Sequence, residues 1–240
     1  LFQGVEIDGE TTGLITYIRT DSTDLSKEAI NSYRDFIQNN FNSSYLPKEI
    51  RSFKSKKAKN AQEAHEGIRP TDILRKPEEM KKYLDEDGFK LYNLIWKRSL
   101  ASQMSSASFE RTAISISSEN ETIKLRANGS IQTFDGFLNI YSEFNKKSEM
   151  IESEDNEDDK DLPNITLNDN INNVKPASSQ HFTLPPPRYS EATLVKKLEE
   201  LGIGRPSTYA IIISVLKMRN YVEVEKNRFV PEDRAILITG

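Results

Sequence analysis

No cysteine occurs in this 240-residue sequence, so disulfides, thiolate nucleophiles and cysteine-ligated zinc or iron–sulfur sites are excluded from these residues. That absence fits a cytoplasmic protein. Histidine is almost as scarce. His65 and His181 are the two present, and they lie too far apart in sequence to suggest a metal site. No stretch approaches the ~18 consecutive apolar residues of a membrane helix, which excludes a helical membrane span. Walker loops, serine–histidine–aspartate motifs and repeats are also missing. The chain has neither an initiator methionine nor a signal-peptide pattern. It opens at LFQGVEIDGE and stops at RAILITG inside an apolar stretch, so both ends read as cut and the chain as a piece of a longer protein.

What remains is enough to fold. Hydrophobic residues make up 36% and aromatics 9%, against 29% charged and a mean hydropathy of −0.64. One large domain or two to three small ones fit the length. The net charge of −4 hides a local feature. Residues 149–161, EMIESEDNEDDKD, hold eight acids and one lysine; without them the balance is 32 basic against 29 acidic residues. The tract reads as a disordered surface insertion. Five basic residues fall between Arg51 and Lys59 with no acid among them, a weak pointer to a polyanion and otherwise a solvated loop.

Residues 13–20, GLITYIRT, alternate as a strand, with Leu14, Thr16 and Ile18 on one face and Ile15, Tyr17 and Arg19 on the other. Ser26 caps a helix of about fourteen residues carrying Ile30, Tyr33 and Ile37 at helical spacing. Residues 61–67 suit a helical turn stopped before Pro70. Pro77 begins another helical region, and Leu91, Leu94, Ile95 and Leu100 continue a second helix through Trp96. The first hundred residues therefore read as mostly helical. After Ser108 the texture alternates at Thr112–Ser117 and at Ile123, Leu125 and Ala127, with Gly129 and Gly136 marking turns. This β segment resumes near Gln180–Thr183. Beyond Pro185–Pro187, Ser190 caps a helix with Leu194, Leu198 and Leu201 on one side, stopped by Gly202. Pro206 opens a further helix to about Arg219. A hairpin then turns at Lys226-Asn227. Helix, turn, helix and hairpin is also the order of a winged helix.

Several residues have chemistry to offer. Tyr17 and Arg19, two apart on a strand, place a phenol beside a guanidinium. A hydroxyl of ordinary pKa ~10 needs such help to attack a phosphate. Spacing alone is equally met by a tyrosine and an arginine on a half-buried strand. His65 and Arg69, four apart on a helical turn, share a face and could grip one phosphate, or His65 could simply pair with Glu63 or Glu66. Gly202–Tyr209 joins two helices, and its backbone N–H groups, two hydroxyls and Arg205 form a phosphate cradle, unless the glycines only cap the first helix.

GLITYIRTDSTDLS at 13–26, QEAHEGIRPTD at 62–72, LYNLIWKRSLASQM at 91–104 and QHFTLPPPRYSEATLVKKLEELGIGRPSTYA at 180–210 together resemble the type IA DNA topoisomerases of the bacterial topoisomerase I kind. The segments stand in family order, and the last favours that kind over topoisomerase III or reverse gyrase. The resemblance implies a mixed α+β, multidomain fold. Residues 1–103 would be a helical domain carrying the active-site tyrosine, and 104–187 a β-rich hinge or arch with the acidic insertion. Residues 188–240 would be part of a helical, winged-helix-like domain. It also implies that Tyr17 is the nucleophile, forming a 5′-phosphotyrosyl link without ATP, with Arg19 stabilising the attacked phosphate and His65 assisting. Arg69, Arg205, Ser207, Thr208 and Tyr209 would contact DNA. Partners would be single-stranded and negatively supercoiled DNA, handled by a monomer in the bacterial cytoplasm. Magnesium would bind acidic residues of a Toprim domain that has no counterpart here; no metal is expected on this chain, which alone should be inactive. The family commonly has Glu-Ala where this chain has Glu66-Gly67, a change that should loosen the turn. The alternative is a non-catalytic winged-helix DNA-binding module centred on 188–240.

Overall fold

A computed structural model of the chain describes residues 1–20, 22–53, 66–118, 120–141, 162, 165–167, 169–171, 177–178, 180, 182–183 and 185–239. The chain divides into two compact units, Leu1–Asp169 and Asn170–Gly240.

The first unit opens with a short hairpin. Strands β1 (Val5–Ile7) and β2 (Glu10–Thr12) pair antiparallel across Asp8-Gly9, both at positive φ (50° and 91°). Asp-Gly is the favoured dipeptide for a two-residue turn of this hand. Helix α1 (Lys27–Asn40) starts as expected, with the Ser26 hydroxyl accepting the Ala29 N–H. It buries Ala29, Tyr33, Phe36 and Ile37, whereas Ile30 is only half-buried. Helix α2 (Pro77–Met80) begins at its proline. Helix α3 (Glu86–Ser102) is capped by the Asp85 carboxylate, which accepts the Gly88 N–H.

Leu91 is 49% exposed, while Tyr92, Trp96 and Leu100 point inward. The two rings carry polar handles that the core satisfies: the Tyr92 hydroxyl donates to the Arg75 carbonyl, and the Trp96 indole N–H donates to the Ile73 carbonyl. Trp96 meets Phe36 edge-on at 5.6 Å. These side chains close one core with Leu14, Ile15, Ile37 and Met104. Each contributes about 1.5–3 kcal/mol of burial before entropy is counted. Among the described residues of the first hundred, helices occupy less than half, so the mostly helical reading overshoots there.

Strands β3 (Ser108–Ser117) and β4 (Lys124–Phe134) form a long antiparallel ribbon, exposed over most of its length. Gly129 lies inside β4 opposite Thr112 rather than at a turn. The chain instead turns at 120–123, where Glu121 has φ 56°. Gly136 does mark one, at φ 51° beside Ser105 and Ser106. The ribbon root is tied to the helical part. The Ser105 N–H donates to the Tyr45 carbonyl, and the Phe137 N–H to the Ser105 carbonyl. The Tyr45 hydroxyl donates to Asp135 at 2.7 Å.

In the second unit, Gln180, Phe182 and Thr183 form no strand, so the β segment does not resume there among the described residues. Helix α4 (Glu191–Glu200) carries a capping box in which Ser190 and Thr193 satisfy each other's backbone N–H groups. Gly202 and Gly204, at φ 68° and 81°, turn the chain into α5 (Pro206–Met218). Strands β5 (Val222–Glu225) and β6 (Arg228–Pro231) pair across Lys226-Asn227, as expected, and α6 (Asp233–Thr239) follows. Among the described residues of the second unit, Ile213 and Phe229 are the buried apolar ones.

Candidate active site

The segment around Tyr17 is not the regular strand expected from its alternation. Leu14 and Ile15 are both buried, and among the described residues the one ladder contact is an isolated bridge from Ile15 to Pro70. Proline has no N–H with which to extend a ladder. The chain then bends at Ile18 and Arg19. Beyond the bend, hydroxyls capture backbone N–H groups two residues on: Thr20 accepts from Ser22, and Ser22 from Asp24. Tyr17 and Arg19 are thus exposed residues flanking a bend, and their juxtaposition does not come from one strand face.

What holds the segment is Thr16. Its N–H donates to the Arg69 carbonyl at 2.9 Å, and its hydroxyl donates to the Gly67 carbonyl and accepts the Arg69 N–H. The Thr71 N–H donates to the Leu14 carbonyl. Two segments more than fifty residues apart are therefore stitched together beside Tyr17. Tyr17 is 36% exposed, and its ring lies edge-on to Phe2, with centroids 5.4 Å apart. Neither Thr16 nor Phe2 was singled out from sequence. The adjacency of a hydroxyl residue to the candidate nucleophile was the available signal for Thr16.

Arg69 makes its hydrogen bonds within the protein. Residues 66–69 are not helical, and the Arg69 guanidinium is held two-pronged by Glu66 at 2.9 and 2.8 Å, with a third bond to the Pro70 carbonyl. Glu66 also accepts the Ser26 N–H at the start of α1. Burial pushes the Glu66 carboxyl up, but the bonds from Arg69 and Ser26 outweigh it and its pKa lies below the ordinary value. The Tyr33 phenol below is pushed up to about 12 by burial, despite the nearby Arg69 cation. Gly67 does not loosen this turn. Its N–H donates to the Asp24 carbonyl at 2.8 Å, and an added Cβ would lie 3.2 Å from the Ser22 carbonyl oxygen. His65 and His181 lie outside the described residues.

In the second unit, Arg205 and Ser207 are exposed at the start of α5, and Thr208 and Tyr209 are half-buried. One of the two hydroxyls expected to face a phosphate is occupied locally. Thr208 accepts the Arg205 N–H and donates to the Arg205 carbonyl. Arg205 itself donates to the Gly204 carbonyl. Among the described residues, no three His, Cys, Asp or Glu side chains converge as metal ligands. No helix among them is long and apolar enough to cross a membrane.

Comparison with known proteins supplies the context. Residues 1–239 match the DNA topoisomerase family. The whole chain aligns with DNA topoisomerase 1 of Rickettsia typhi at 50% identity, spanning 30% of that protein, and with DNA topoisomerase 1 of Campylobacter jejuni at 44%, spanning 32%. Full-length topoisomerase I from Thermotoga maritima superposes with a TM-score of 0.69 at 32% identity, over 95% of this chain and 34% of that one. The chain therefore spans about a third of the length of the relatives it matches.

Proposed function

This chain belongs to the bacterial type IA DNA topoisomerases, and from that premise we propose that it carries the strand-cleaving tyrosine of such an enzyme. The observation that supports this best is the stitching of Tyr17. A solvent-facing phenol sits on a segment fixed by three Thr16 hydrogen bonds, and Arg19 follows two residues later, exposed across the bend. In this reading the Tyr17 hydroxyl loses its proton and attacks a backbone phosphorus of single-stranded DNA. A tyrosyl O–P bond forms, the P–O3′ bond breaks, and the leaving 3′-oxygen takes up a proton. The Arg19 guanidinium offsets the charge that gathers on the phosphoryl oxygens. His65 assists at the same phosphate. The bond energy is kept in the phosphotyrosyl link, so the 3′-hydroxyl reverses the attack after strand passage, without ATP.

Arg205, Ser207 and Tyr209 would contact the strand by charge, hydrogen bonding and stacking, with Thr208 shaping the helix start. Arg69 orients the 66–70 segment through Glu66 in this scheme. The three sequence-level divisions, 1–103, 104–187 and 188–240, are proposed as tyrosine domain, β arch and partial groove domain. Magnesium, held by acidic residues of a Toprim domain outside these 240 residues, is part of the proposed whole enzyme, and no step here is routed through it. Relaxation of negative supercoils by a cytoplasmic monomer completes the proposal. The winged-helix alternative accounts for 188–240 alone, whereas the family match extends over 1–239.

The test uses the full-length protein with magnesium and a 3′-end-labelled single-stranded oligonucleotide, quenched with detergent. Label is expected to travel with the wild-type protein and not with Tyr17→Phe. Label retained by the variant would assign a different nucleophile.

A further inference from the structure

A phenol that attacks phosphorus must approach in line with the leaving oxygen, so the direction of its ring matters as much as the place of its backbone. The Thr16 hydrogen bonds settle the backbone beside Tyr17. The ring still turns about its χ1 and χ2 bonds, and partly exposed rings change rotamer readily. The Phe2 ring lies edge-on against it, with centroids 5.4 Å apart and planes at 66°.

Local geometry brings Phe2 there. The Asp8-Gly9 turn sets the β1–β2 register, with Val5 opposite Thr12, so the residues before β1 run beside those after β2. The Leu14 N–H donates to the Leu1 carbonyl at 2.9 Å. Gly13 permits this approach, because a Cβ there would lie 3.2 Å from the Phe2 carbonyl oxygen. Phe2 is placed by this backbone pairing and contributes little to the core. Leu1, Val5 and Ile7 pack against the core of the first unit, whereas Phe2 is 41% exposed and meets Tyr17. We infer that Phe2 is a positioning residue for strand cleavage, its ring holding the Tyr17 phenol in the direction from which it attacks. The inference rests on the proposed role of Tyr17 as nucleophile. An edge-on aromatic contact shifts the rotamer balance of a ring by about three- to tenfold. Phe2 acts on the rate of attack and leaves DNA affinity alone.

The test is single-turnover cleavage of a 3′-end-labelled single-stranded oligonucleotide by the full-length protein with magnesium. Varying the protein concentration gives a maximal rate and a half-saturating concentration. Phe2→Leu keeps an apolar side chain and removes the ring. Its maximal rate is expected to fall by at least about threefold, with the half-saturating concentration unchanged. Phe2→Tyr keeps the ring and should cleave within about twofold of wild type. Amide exchange at Leu14 and Thr16 should match wild type in both variants, because the segment itself stays paired.

A smaller fall in Phe2→Leu, or an equal fall in Phe2→Tyr, would overturn the inference. So would a raised half-saturating concentration in Phe2→Leu, which would make Phe2 a DNA contact. Faster exchange at Leu14 alongside slowed cleavage would also overturn it, reducing Phe2 to a support of the hairpin. Tyr17→Phe run in parallel separates the two failures. Label on that variant would sink the nucleophile assignment, whereas no label on it beside wild-type cleavage by Phe2→Leu would sink this inference alone.

Discussion

Glu66→Gln is the most informative perturbation of the site's framework. The Glu66 carboxylate accepts two bonds from the Arg69 guanidinium and one from the Ser26 N–H at the start of α1. The Arg69 side chain is 14% exposed and that of Glu66 29%, so solvent screens the pair only in part. An amide can keep one acceptor toward Arg69, but it presents an NH₂ group to a guanidinium and removes the charge. Charge-assisted bonds contribute about 1.5–3 kcal/mol, and partial exposure reduces this to about 2 kcal/mol for the substitution. That corresponds to roughly a thirtyfold change in the local opening equilibrium. The assay is amide hydrogen exchange of the full-length protein, read at Thr16, Gly67, Arg69 and Thr71. The pH dependence has a definite sign. Because the folded carboxyl titrates below its ordinary value, its stabilisation is fully present above about pH 4.5 and is lost as pH falls through the lower, folded pKa. The difference between wild type and variant should therefore be constant above about pH 4.5 and shrink below it. Equal protection of these amides in both proteins at neutral pH would refute the reasoning.

Three further outcomes test other parts of the fold. Tyr33→Phe removes a buried hydroxyl that makes no hydrogen bond of normal geometry, although Arg69 and Ser99 lie near it. It should leave the denaturation midpoint unchanged or raise it, by up to about 1 kcal/mol, and a loss above that would show that the hydroxyl is satisfied. Gly136→Ala places a Cβ 2.6 Å from the Ser105 and Ser106 backbone at a φ of 51°, so the ribbon root should lose about 2 kcal/mol or more, seen as faster exchange of the Phe137 amide. Tyr45→Phe removes the hydrogen bond that chiefly holds the Asp135 carboxyl below its ordinary pKa, so Asp135 should titrate at higher pH by carboxyl NMR; an unmoved titration would deny the bond.

Features set within a few residues were legible from sequence. Ser26 and Ser190 cap their helices, Gly202 takes positive φ, and Lys226-Asn227 turns a hairpin, because each depends on neighbours in the chain. Asp8-Gly9 carried the same kind of signal and was overlooked. Which of Leu91 and Tyr92 faces the core is not legible from sequence, because they are adjacent and both apolar enough to bury. The carbonyl of Arg75, which receives the Tyr92 hydroxyl, lies seventeen residues away. The motifs around Tyr17, His65 and Arg205 pointed to the family without any structure, and the match over 1–239 agrees with that reading.

By itself, then, the sequence determined the caps, the tight turns, the alternating ribbon and the family. The tertiary structure decided that the Tyr17 segment is a clamped bend and not a strand, and that Glu66 engages Arg69 and the start of α1. The physical reason is separation along the chain. A cap or turn is settled by bonds spanning two to four residues, whereas Thr16 meets Gly67 and Arg69 across more than fifty, and a hydroxyl's partner is then chosen by which segments the core brings together.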